Sequence, residues 1–99
     1  MRIENMTSSR GNAVPNQFIL REEGRGALGN FISRTTFQSY NSVIAVKTVW
    51  EDKTEVKLDE RYWDYSKTTG KYRNDFLGEC KAVTEKKIAS GEYKLTNLN

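Results

Sequence analysis

The sequence predicts an α+β fold: a twisted antiparallel sheet of four or five strands with one or two short helices covering one face. Three observations carry that expectation. Between residues 17 and 60, apolar side chains recur in short period-two runs, rich in β-branched and aromatic types and joined by brief polar turns. After residue 65 the apolar period lengthens to that of a helix. Ser66 and Gly78 then bracket that stretch as an N-cap and a C-cap.

Each element can be justified in order. Residues 1–15 are polar, include "SSRGN", and end on the only proline, Pro15; they read as a flexible or loosely docked arm. "QFIL", 17–20, is the first apolar run and reads as a strand. "EEGRGALGN", 22–30, carries three glycines and reads as a loop or hairpin connection. In "FISRTTFQSY", 31–40, a strand would put Phe31, Ser33, Thr35 and Phe37 on one face and Ile32 and Thr36 on the other. In "SVIAVKTVW", 42–50, strict alternation puts Val43, Ala45 and Val49 together, opposite Ile44, Val46 and Trp50. "EDKT" is a charged turn, and in "EVKLDE", 55–60, Val56 and Leu58 point inward while Glu55, Lys57 and Asp59 point outward. Short connections between these runs make sequential neighbours antiparallel.

Beyond Ser66, the residues Tyr65, Thr69, Tyr72 and Phe76 fall at helical spacing, so Tyr65, Tyr72 and Phe76 are expected to face inward. Gly70 inside this stretch costs about 1 kcal/mol relative to Ala, which favours a short or broken helix. A second short helix, "TEKKIAS", is expected with Thr84 as N-cap and Gly91 just past its end. "EYKLTNL", 92–98, alternates and is expected to close the sheet as a final strand.

The 99 residues form one domain, residues 1–99, with a modest core. The hydrophobic fraction is 36%, so the core must be built around the aromatic residues, 11% of the chain. Net charge is +3, with a basic, acid-free run "SKTTGKYR" at 66–73; attraction to nucleic acid is permitted by this balance and not demanded by it. "MRIENMTSSRGN" lacks the apolar region of a secretory leader, and no apolar run reaches the length of a membrane span. A cytoplasmic protein without a membrane partner is therefore expected, as a monomer or as a homodimer paired through strand edges.

Catalytic chemistry finds little support in the composition. There is no histidine, which removes the commonest general base and metal ligand, and a single cysteine, Cys80, cannot form an internal disulfide. Cys80 would need a base and an orienting group to act as a nucleophile, and none is marked. "GRGALG", Gly24 to Gly29, matches G-x-G-x-x-G, but a β-like segment follows where a dinucleotide site requires a helix. Asp59, Glu60 and Asp64 lack the ligand spacing of a calcium loop. No enzyme, cofactor or metal is expected.

What remains is "DERYWDYSKTTGKYRNDFLGE", 59–79. Tyr62 and Trp63 are adjacent, so their side chains diverge and one of them should lie outward. Lys67, Thr68, Thr69, Lys71 and Arg73 would then join that ring in a partner-binding surface. Aromatic rings among Lys and Arg suit base stacking with phosphate contact, an interface hot spot, or plain packing of lysine stems over a ring.

Together, "VPNQFIL", "FQSYNSVIAV", "LDERYWDYSKTTGKYRNDFLGE" and "ASGEYKLTNLN" resemble a family of small proteins encoded mainly by bacteriophages and related mobile elements, of unassigned function. The resemblance runs from about Asn12 to Asn99 and rests on Asn16–Phe18, Phe37–Tyr40, Leu58–Asp59, Trp63–Tyr72 and Phe76–Gly78; "REEGRGALGN" is longer than the family pattern. The resemblance implies a setting in which small proteins act by binding. The first expectation is a phage accessory protein that binds and inhibits a host protein, such as a CRISPR–Cas defence complex, in the manner of an anti-CRISPR. The alternative is a nucleic-acid-binding protein that uses the aromatic–basic segment. A third reading is a sponge for a nucleotide signal.

Overall fold

The computed structural model describes residues 2–24 and 31–99. Strand β1 (Arg2–Thr7) turns into the long strand β2 (Ala13–Glu23). Strands β3 (Ser33–Ser39), β4 (Ser42–Val49) and β5 (Thr54–Asp59) follow, each antiparallel to the one before. Two helices, α1 (Lys67–Leu77) and α2 (Lys81–Ser90), then carry the chain to β6 (Tyr93–Thr96). The described strands form one six-stranded sheet in sequence order. A hairpin reverses chain direction, whereas a helical crossover returns the chain to the same end, so β6 lies parallel to β5. The sheet is thus larger than the four or five strands expected, and it is mixed rather than wholly antiparallel.

The expected arm over residues 1–15 is also corrected, because β1 and the start of β2 occupy it. β1 is an edge strand in which Met6 is the buried residue, so no apolar alternation marks it in the sequence. Polar links hold it: Arg21 Nε donates to Glu4 at 3.0 Å, and Asn5 Nδ2 donates to the Val14 carbonyl at 3.0 Å. Pro15 lies where the β1–β2 register breaks, between the pairs Asn5–Phe18 and Thr7–Ala13, so its missing N–H is tolerated. Glu22 and Glu23, expected in the glycine-rich connection, belong to β2; residues 25–30 of that connection lie outside the described residues.

Within β4 the strict alternation fails at a bulge. Phe37 pairs with Ala45, but Gln38 pairs with Val43, which leaves Ile44 as the extra residue. Val43 therefore shares a row with Gln38 rather than with Ala45, and Ile44 is fully buried. The cross-strand row Ile19, Phe37, Ala45, Leu58 lies on the face that packs against the helices. The Phe37 and Phe76 rings stack there at 5.8 Å, and Ser39 and Thr69 share a buried hydrogen bond at 2.9 Å. Tyr72 and Tyr93 complete this aromatic core.

The caps agree with the sequence. The Ser66 hydroxyl accepts from Thr69 N–H at 3.1 Å, and Gly78 adopts the left-handed conformation at φ 69° after an unbroken 11-residue α1. α2 begins a turn earlier than expected, with Cys80 as its N-cap and no side-chain cap bond. Thr84 is accordingly not the cap but a buried interior residue that donates to Glu79 at 2.7 Å. Glu79 also accepts from Tyr93 OH at 2.7 Å and from Lys87 at 2.9 Å, which ties the α1–α2 connection to β6. Among the described residues, no helix is long and apolar enough to cross a membrane.

Candidate binding surface

The segment joining β5 to α1 is set by one carboxylate. Asp59, expected to point outward, is only 1% exposed. Its Oδ2 accepts from the backbone N–H groups of Arg61 and Tyr62 at 3.0 and 2.9 Å, and its Oδ1 accepts from Leu98 N–H at 2.8 Å. Burial pushes this carboxyl up, but those backbone bonds, together with the Asn99 side chain, outweigh the burial and hold it below its ordinary value. The charge is therefore compensated inside the fold, and it folds residues 60–64 into a tight turn that also places the C-terminal tail.

Arg73 pins the same turn from α1. It is 1% exposed, and its guanidinium donates to the Trp63 carbonyl at 2.7 Å, to Asp64 at 3.2 Å and to Asn74 Oδ1 at 3.0 Å. It also lies 5.2 Å from the centre of the Trp63 ring. Asp64 takes a second cation, Lys81, at 2.6 Å. Burial raises the Asp64 carboxyl, and hydrogen bonds from Lys81 and Arg73 more than reverse that effect.

The residues expected to bind a partner therefore divide. Lys67, Thr68 and Lys71 are exposed on the first turns of α1. Tyr62 and Trp63 are half-buried and pack against the core. Thr69 and Arg73 are buried and hold the frame: Thr69 joins helix to sheet, and Arg73 rivets the preceding turn. Neither offers the open contact that the sequence reading gave it.

Two exposed rings take their place. Tyr65, expected to face inward, is 64% exposed and meets Tyr62 edge-on at 5.7 Å. It precedes the N-cap, so the helical count that assigned it inward does not apply to it. Tyr40 is 51% exposed and occupies the two-residue turn between β3 and β4 with φ 55°. A side chain in that region costs about 1–2 kcal/mol, and glycine is the usual occupant. The conformation is enforced locally: Tyr40 N–H donates to the Asn16 carbonyl at 2.7 Å, and Gln38 Nε2 donates to the Tyr40 carbonyl at 2.9 Å. Asn16 itself has φ 64°. The signal available in the sequence was "FQSYNS", where a tyrosine falls at the tip of a tight turn.

Tyr40, Tyr62 and Tyr65 line a cleft of ≈ 560 Å³ whose remaining walls are hydroxyls and an amide, from Ser39, Asn41, Ser42, Ser66 and Thr68. A second groove, of ≈ 650 Å³, lies on the other side of Ser66 and includes Lys67, Gly70, Lys71, Arg73 and Lys81. The two share Ser66 as a common wall. Among the described residues, no group of three or more His, Cys, Asp or Glu side chains is arranged to hold a metal ion.

Comparison with known proteins adds a family without a function. The model described as Family of unknown function (DUF8033) matches residues 1–92, from β1 through α2. No curated protein and no solved structure matches the chain.

Proposed function

The chain belongs to DUF8033, a family of unknown function, and from that premise we propose that it is a stoichiometric binder of a protein partner, anchored by the Tyr40–Tyr62–Tyr65 cleft. The observation that carries this reading is Tyr40. A strained turn residue, fixed by Asn16 and Gln38, keeps a large ring in solvent beside two further tyrosines. Tyrosine presents much contact area for two side-chain rotations, and serine and asparagine around it supply adaptable hydrogen bonds, which is the composition of a protein-recognition patch. The strain is already met in the free protein, so less ordering remains for the bound state.

The resemblance to small bacteriophage-encoded proteins makes a bacterial host protein the first partner to test. A defence complex such as CRISPR–Cas, inhibited in the host cytoplasm, is the leading case. The adjoining cationic groove supports a second reading, in which the same surface stacks and holds a single-stranded nucleic acid.

The test is affinity capture from bacterial lysate with and without nuclease, comparing the native chain with the Tyr40→Ala/Tyr65→Ala double variant. The binder reading expects one stoichiometric protein or complex that survives nuclease and is absent from the variant. A diffuse set of nucleic-acid proteins that vanishes with nuclease would transfer the surface to the second reading. Salt separates the two as well: phosphate binding weakens by about 0.7–0.9 log units per log unit of salt for each phosphate neutralised.

A further inference from the structure

We propose that the Tyr40–Tyr62–Tyr65 cleft takes a proline-rich segment of its partner in the polyproline II conformation, a specificity that rests on reading the cleft as a protein-binding site. The walls form a fixed platform. Tyr40 is set by its turn, Tyr62 packs against the core, and Tyr65 directly precedes the α1 cap. Ser39 and Ser66 spend their hydroxyls on Thr69, which ties the cleft to the frame of helix and sheet. The other lining side chains are uncommitted. Among the described residues, the side chains of Tyr40, Asn41, Ser42, Tyr62, Tyr65 and Thr68 make no hydrogen bond to the protein. The cleft thus presents rings and free donors, and no charged side chain lines it among the described residues.

Such a surface fits an uncharged chain that is rich in acceptors. Proline is the residue whose peptide unit offers a carbonyl and no N–H. In a polyproline II helix those carbonyls make no internal hydrogen bonds, so they are free to accept from hydroxyls and an amide. The pyrrolidine rings pack on aromatic faces, and the helix is already formed before it binds, so little ordering remains. Ring geometry agrees. Tyr62 and Tyr65 meet at 80° with centres 5.7 Å apart, so the two rings form a corner. A ridged row of pyrrolidine rings can touch both walls of a corner, whereas a flat nucleobase stacks on one. The neutral lining also offers no cation to a phosphate.

The test titrates the intact chain with a synthetic decaproline peptide, and with a glycine–serine peptide of equal length as control, while amide resonances are followed by NMR. The expected result is saturable shifts centred on residues 39–42 and 62–68 for decaproline alone, with a Kd of about 0.1 mM or tighter. That affinity should be unchanged between about 0.05 and about 0.5 M salt. Tyr65→Ala should bind at least about ten-fold more weakly at an unchanged melting temperature, since the residue is 64% exposed. Tyr65→Phe keeps the ring and removes the donor, and should bind about five-fold more weakly. No saturable shift with decaproline, or equal affinity in Tyr65→Ala, would overturn the proposal. So would cleft shifts produced by oligothymidylate and abolished by salt, which assign the cleft to single-stranded nucleic acid. Capture from lysate separates this failure from that of the binder reading. A protein lost from the Tyr40→Ala/Tyr65→Ala variant but not displaced by decaproline overturns the proline specificity alone, and a captured protein retained by that variant overturns both.

Discussion

Replacing Asp59 by asparagine changes one oxygen into an amide nitrogen and leaves size and shape alone. In the native protein both carboxylate oxygens accept from backbone donors, two at Oδ2 and one at Oδ1. An asparagine offers one acceptor oxygen. If that oxygen faces Arg61 and Tyr62, the NH₂ group meets the N–H of Leu98; if it turns around, two donors are left facing a donor. The gentler orientation loses one buried bond to a charged acceptor, a loss of about 2–3 kcal/mol. With a urea dependence of about 1–1.5 kcal/mol/M for a domain of this size, the unfolding midpoint should fall by roughly 2 M. The pH dependence supplies the sharper half of the experiment. The folded-state carboxyl is held below its ordinary value of 3.8, so its contribution is fully present above the unfolded-state pKa and is lost as pH falls through the folded-state pKa. The gap between native protein and Asp59→Asn should therefore be constant near neutrality and close progressively below about pH 4. Urea unfolding at a series of pH values measures it. A gap smaller than about 1 kcal/mol at neutral pH, or one that does not narrow in acid, would refute the assignment of Asp59 as the residue that organises the β5–α1 turn.

Two further outcomes are expected. Phe37→Ala removes a fully buried ring from the stack with Phe76 and should lower stability by about 3–5 kcal/mol in urea unfolding; a loss under about 1.5 kcal/mol would show that the sheet–helix contact is centred elsewhere. Tyr40→Gly relieves the left-handed strain while loosening the unfolded chain, so stability should change by no more than about 1 kcal/mol in either direction while capture of the protein partner is lost. A large loss of stability instead would mean that the Tyr40 ring supports the hairpin and is not held for a partner.

The sequence by itself determined the features that depend on near neighbours. The shared inward face of Val56 and Leu58, the β-rich runs that became β3 and β4, and the caps Ser66, Gly78 and Gly91 are all local preferences, and all appear in the structure. Tertiary structure decided what depends on residues far along the chain. β1 could not be read because an exposed edge strand shows no apolar alternation; its partners on β2, not its own pattern, make it a strand. The direction of β6 follows from the two-helix path that precedes it. Asp59 looks like a solvent-facing charge until Leu98, 39 residues later, brings an N–H to it. Arg73 looks like part of a basic surface until the Trp63 carbonyl and Asp64 surround it. The candidate surface moved for the same reason. Charged and aromatic side chains state what they can bond, but only the assembled fold decides which bonds are satisfied internally, and here that left Tyr40, Tyr65, Lys67 and Lys71 facing outward.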